Sequence, residues 1–103
     1  MSPDPQVVAS ELLDPVRGII SEVLLVPRDM VSAESSLMDE LGAESIDFLD
    51  MIFRIEDIVG RRIPVSRWYE FVEERLHGAN LAQAITTAVM VEFAERERAL
   101  ASR

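Results

Sequence analysis

Ser45 stands in the run Leu41-Gly42-Ala43-Glu44-Ser45-Ile46-Asp47, where an apolar helical pattern begins. A hydroxyl at a helix start is exposed, and the positive end of the helix suits an attached phosphate. From spacing alone the same serine reads first as an N-cap. A serine hydrolase needs G-x-S-x-G with histidine and acid partners in an α/β setting. Gly42-Ala43-Glu44-Ser45-Ile46 lacks the second glycine. His77 is the single histidine and precedes Gly78, at an expected helix C-terminus where a cation is favoured. Paired carboxylates abound, but on exposed helical faces they are ordinarily solvated charge. There is no glycine-rich phosphate loop, and with no cysteine the chain has no disulfide, no cysteine-ligated zinc and no thiol. These residues do not assemble an autonomous enzyme.

The composition narrows the partners. The 103 residues carry 19 acidic against 10 basic side chains, a net charge of −9. Phosphate backbones repel that balance, and 6% aromatic residues make a poor base-stacking platform, so nucleic acid is not an expected ligand. Basic protein partners are. With 49% hydrophobic residues the chain can build one core and forms one domain. Neither a signal peptide nor a membrane span is expected, since the longest apolar stretch is Val23-Leu24-Leu25-Val26. The expected compartment is the cytoplasm and the expected state a monomer.

The elements that must position Ser45 follow from periodicity. Residues 1–10 read as a flexible leader, 11–99 as a single domain and 100–103 as a tail. Apolar residues at 12, 13, 16, 19, 20, 23 and 24 give a first helix. Asp14-Pro15 is its expected start, with Asp4-Pro5 a rival, and Pro27 its stop. Residues 27–44 form a long connector whose Met30, Val31, Leu37, Met38 and Leu41 pack on the core. Within it Ser36 and Asp39 could cap a single helical turn. A second helix runs from about Ser45 to Val59, with Gly60 as C-cap. Its residues 48, 51, 52, 55, 58 and 59 make a core face, while Ile46, Leu49 and Phe53 lie beside it. Such a helix is central in a bundle or meets a partner. A short third helix spans about Ser66–Leu76 and carries Trp68, Phe71 and Val72. Asn80 and Gln83 cap a last helix over about Leu81–Ala99, whose end ERERALASR is expected to be solvated. No stretch alternates as a strand does. The expectation is an all-α bundle with three main helices and a short third helix.

The stretch LGAESIDFLDMIFRIEDIVGRRIP resembles the signature region of acyl carrier proteins. That family shows Asp-Ser-Leu after a Leu-Gly pair, then an acidic amphipathic helix and a short loop ending in Ile-Pro. The matching residues are Leu41-Gly42, Glu44-Ser45-Ile46, Asp47, Asp50, Glu56-Asp57 and Ile63-Pro64. Val16–Glu22 resembles the family's first helix and Ser36–Glu40 its connector, so the resemblance covers roughly residues 12–76. Glu44 stands where the family has aspartate. Arg54, Arg61, Arg62 and Arg67 add positive charge, and Phe48, Phe53 and Trp68 are bulkier than in many fatty-acid carriers. The segment FLDMIFRIED followed by IPVSRW resembles specialised carriers of unusual or very long acyl chains, including those of lipid A.

The resemblance implies an acyl carrier, not an enzyme, with 4′-phosphopantetheine from coenzyme A joined to Ser45 through a phosphodiester. Its thiol would hold acyl groups as thioesters for lipid or polyketide-type synthesis. The implied partners are a phosphopantetheinyl transferase and acyl-loading, elongating or acyltransferase enzymes with basic docking patches. Candidate docking residues are Glu44, Ile46, Asp47, Leu49, Asp50, Phe53, Glu56 and Asp57. Met51, Ile55, Ile63 and Trp68 are candidate walls of an acyl pocket, and equally ordinary core. No metal site is expected. Two other functions remain open at this point: an aminoacyl or peptidyl carrier, and an unmodified helical adaptor with an acidic face.

Overall fold

The structure is a computed structural model that describes residues 10–101. Most of the leader, with the rival start at Asp4-Pro5, lies outside the described residues, as do 102 and 103. Helix α1 covers Leu13–Leu24. It begins one residue before Asp14, which is its second residue and pairs with Arg17 at 3.0 Å instead of capping. The entry is held by Ser10, whose Oγ accepts the Leu12 N–H at 3.0 Å. Pro15 falls in the first turn, where its missing N–H has no intrahelical partner to lose. Leu25 closes the helix in the left-handed conformation with φ 57°. Val16 and Ile20 face the core.

The connector contains a 3-10 turn over Arg28–Met30 and buries Val31 and Leu37. Met30, expected to pack, is exposed. Ser36 Oγ accepts the Asp39 N–H at 3.2 Å, so the pairing exists, but it closes a turn and not a turn of helix. Helix α2, Ser45–Val59, has the expected bounds, and Gly60 ends it at φ 78°. Phe48, Met51, Ile52, Ile55 and Val59 point inward. Helix α3 covers Val65–Arg75 and buries Trp68, Phe71 and Val72. Helix α2 packs against α1 and α3.

The expected single last helix is two helices. Helix α4, Leu81–Ala84, is one turn capped by Asn80, whose side chain accepts the Ala82 N–H at 3.1 Å. Helix α5, Thr87–Ala101, follows after Ile85 and Thr86 and runs past the boundary expected at residue 99. The break has a long-range cause. At its start α5 donates the Thr87 and Ala88 N–H groups to the carbonyls of Ser35 and Ala33, at 3.1 and 2.9 Å. Thr86 pairs with Ser36 in an isolated bridge, and its Oγ1 accepts the Val89 N–H at 3.3 Å. The connector thus satisfies donors that a continuous helix would have bonded internally. Among the described residues there is no strand, and the architecture is the expected all-α bundle.

Helix α5 packs against α1 and α2. Its Phe93 meets Trp68 edge-on at 5.2 Å and Phe71 at 5.3 Å, and Trp68 stacks on Phe48 at 5.7 Å. These rings join α2, α3 and α5 in one core. The charged end of α5 is not wholly solvated as expected. Glu97 is 1% exposed and accepts from Arg67 Nε and Nη2 at 2.9 and 2.8 Å. That carboxylate holds the Arg67 guanidinium above its ordinary pKa, through the hydrogen bond first and the charge second, against an opposing effect of burial. Removing Arg67 would strand a buried charge. Arg67→Met should therefore lower the unfolding free energy by about 3 kcal/mol in urea titration, whereas Glu97→Gln, which keeps an acceptor and leaves a half-exposed arginine to water, should cost less.

Candidate functional site

A chain of main-chain hydrogen bonds leads to Ser45 from the α4–α5 break. The Ile85 carbonyl accepts from Leu37 N at 3.0 Å, and the Leu37 carbonyl accepts from Ala43 N at 2.8 Å. Ser36 Oγ donates to the Ala82 carbonyl at 2.6 Å, fixing the same loop from its side chain. Ala43 is buried, and Gly42 before it turns the chain at φ 77°. A residue with a side chain enters that region only at a cost. Glu44 then leaves the loop in extended conformation as the N-cap.

Ser45 is the first residue of α2 and not its N-cap, which overturns the capping role that its position alone suggested. The capping is done by its neighbours. Asp47 Oδ2 accepts the Glu44 N–H at 2.8 Å, and Asp47 N donates to the Glu44 carbonyl at 2.9 Å. The serine side chain is left exposed to solvent. The Asp47 N–H is already taken by the Glu44 carbonyl, so it is the positive end of the helix dipole that favours an anion beside Ser45. A phosphate ester on this exposed oxygen would meet no buried obstacle and would lie at the positive end of the helix dipole, so the residues present fit a phosphopantetheine group. When bound, that group supplies the thiol that a chain without cysteine lacks.

Ile46, Leu49 and Phe53 form a stripe on α2 and are 69%, 44% and 69% exposed. They are not core. Asp57 is exposed one turn beyond Phe53. Two of the other acids are engaged internally. Asp50 Oδ1 accepts from Arg54 Nε at 3.0 Å, and Arg54 also reaches Glu22 of α1 at 2.9 Å. Those carboxylates, Asp50 above all, raise the Arg54 pKa against a smaller effect of burial. Glu56 Oε2 accepts the Ile63 N–H at 2.7 Å and so holds the loop after α2. Met51, Ile55, Ile63 and Trp68 are all buried in the core.

The family model described as "Phosphopantetheine attachment site" matches residues 14–72, more than half of the chain. The chain belongs to the phosphopantetheine-bearing acyl carrier family. It is 40% identical over 65 residues to an acyl carrier protein AcpXL of Brucella melitensis, covering 63% of this chain and 70% of the relative. An AcpXL of Rhizobium meliloti is 39% identical over 61 residues, covering 59% and 64%. An acyl carrier protein of Saccharopolyspora erythraea is 28% identical over 57 residues, covering 55% and 60%. The carrier is therefore a non-catalytic shuttle of lipid biosynthesis that uses 4′-phosphopantetheine, and its family implies a phosphopantetheinyl transferase and acyl-handling enzymes as partners. No helix of the described residues is long and apolar enough to cross a membrane.

Glu22, Ala43 and the carbonyls of Ala82 and Ile85 shape the site without having been singled out in the sequence. Ala43 has a faint signal, a small apolar residue between a glycine and an acid. Glu22 has none, because its partner lies on another helix. Val65 and Tyr69 add exposed apolar surface on α3. The Asp47 cap can be tested directly. Asp47→Ala should destabilise the carrier by about 1 kcal/mol and speed hydrogen exchange at the Glu44 amide, while Asp47→Asn, which keeps an acceptor oxygen, should lose less.

Proposed function

We propose that Ser45 is the attachment point of the 4′-phosphopantetheine arm, and that α2 presents the loaded arm to acyl-handling enzymes. The observation that carries this reading is a solvent-exposed serine held at the first position of α2 by a loop bonded to the rest of the fold. An N-cap serine would have its oxygen committed to the backbone; this one does not serve as the cap. The docking surface is the stripe Ile46, Leu49 and Phe53, with Glu44, Asp47 and Asp57 as its flanking acids. An apolar patch ringed by charge suits a transient interface, where charge guides the encounter and the patch supplies contact area. Asp50 is less suited to that role, since its charge is paired with Arg54, whereas Glu56, like Asp47, accepts a backbone N–H and keeps its charge.

The cargo in this reading is a long or unusual acyl chain, by the resemblance of the segment FLDMIFRIED. Met51, Ile55, Ile63 and Trp68 would wall the space it enters. The carrier acts as a single copy in the cytoplasm, and its net charge of −9 argues against a nucleic-acid role.

Two measurements test this reading. Ser45→Ala should abolish the mass gain on treatment with a phosphopantetheinyl transferase and coenzyme A while leaving the circular dichroism unchanged. A mass gain that persists, or that maps to Ser10, Ser21 or Ser66, overturns the assignment. For the cargo, the melting temperature of the acylated carrier should climb with chain length, because burial contributes about 0.8 kcal/mol per methylene. A melting temperature that ignores chain length places the chain outside the core.

A further inference from the structure

All ten basic side chains of this carrier are arginines; it has no lysine. Nine of them lie among the described residues. Seven of those nine are held by carboxylates, Arg54 by Glu22 and Asp50 and Arg67 by Glu97 among them. The two that take part in no ion pair among the described residues are adjacent, Arg61 and Arg62, just beyond Gly60 at the C-terminal end of α2. Arg62 is exposed and Arg61 half-buried.

The opposite end of α2 has the opposite character. Between Arg28 and Arg54 there is no basic residue at all. Residues 39–50, which bracket Ser45, hold five acids and no base, a net charge of −5. Arg54 is taken up by Glu22 and Asp50, so what distinguishes the far end is the adjacent pair Arg61 and Arg62, beside the acids Glu56 and Asp57. The helix of 15 residues sets Ser45 and the arginine pair beyond Gly60 about 22 Å apart along its axis. That exceeds twice the Debye length of about 8 Å at physiological ionic strength. The two ends therefore present separate fields to an approaching molecule, with Phe53 exposed between them.

We propose that α2 and the loop after it form a bipolar docking surface. It fits a partner enzyme that offers basic side chains to the serine end, an apolar pocket to Phe53 and carboxylates to Arg61 and Arg62. An enzyme whose carrier-facing surface is basic along its whole length meets like charge at the far end. Specificity then comes from that repulsion as much as from attraction at the serine end. Arg54 does not supply this selectivity, because its guanidinium already bridges α1 and α2. Arg61 and Arg62 do. The inference rests on the reading of Ser45 as the attachment point.

The test crosses two carriers with two enzymes. The carriers are the full chain and its Arg61→Glu, Arg62→Glu double variant. The enzymes are a phosphopantetheinyl transferase with a uniformly basic carrier-facing surface, and the same transferase with glutamates replacing the bases that face the far end of α2. Charge reversal on the carrier should raise kcat/KM with the basic transferase about tenfold at low salt. It should lower kcat/KM with the glutamate form. Both differences should vanish near about 1 M salt, where the Debye length is about 3 Å. Equal rates for the two carriers with both transferases overturn the bipolar surface and leave attachment at Ser45 standing. A carrier that gains no mass in any combination overturns the attachment reading, and the surface with it.

Discussion

The fold turns on how α5 begins. Its opening N–H groups, at Thr87 and Ala88, need acceptors, and the connector between α1 and α2 provides them through Ser35 and Ala33. Unpaired buried donors are costly, so this exchange fixes the connector against the last helix. Once the connector is fixed, Leu37 and Ala43 carry the constraint to the threshold of α2. The serine is displayed at a helix tip, yet its backbone is anchored through residues about forty positions further along the chain. A group that must hand its cargo to several enzymes gains from such a base, because docking then need not order the loop that bears it.

Two pairings show how the carrier divides labour among its charges. Arg67 and Glu97 join α3 to α5 from within, with the carboxylate removed from water. Arg54 joins α2 to α1 at the surface, through Glu22 and Asp50. The first is a structural tie whose halves cannot be separated cheaply. The second contributes little to stability, as exposed pairs do, but it removes one acid from the face that partners meet. A count of acids on α2 therefore overstates the field that an enzyme encounters.

Local signals made the centre of the molecule legible. Gly60, the acidic Asp47 and the three-four spacing of Phe48, Met51, Ile52 and Ile55 mark α2 at both ends, and all act within a few residues of one another. Ser45 was singled out by the family resemblance of the stretch around it, since its local spacing alone read as an N-cap, and its place inside the helix depended on Glu44 and Asp47. The break at Thr86 was hidden. Leu81 to Phe93 keeps an apolar helical period across it, and the bonds that interrupt the helix come from residues 33–37. Thr86-Thr87 was the available hint, an N-capping side chain ahead of an apolar run. Glu97 was hidden too: within ERERALASR it looks like every other charge, and only the approach of Arg67 from α3 makes its burial tolerable.

The exposed stripe on α2 has a cost in every moment when no enzyme covers it. Ile46 and Phe53 each leave about two thirds of their surface in water, and a second copy of the chain would cover them as readily as an enzyme does. Mutual repulsion between copies, each bearing nine excess negative charges, opposes that event. Near the isoelectric point of about 4.5 the repulsion fades while the arginines keep their charge. Colloidal behaviour is thus coupled to the requirement for a bare helix face: acid near that point should make this protein stick to itself.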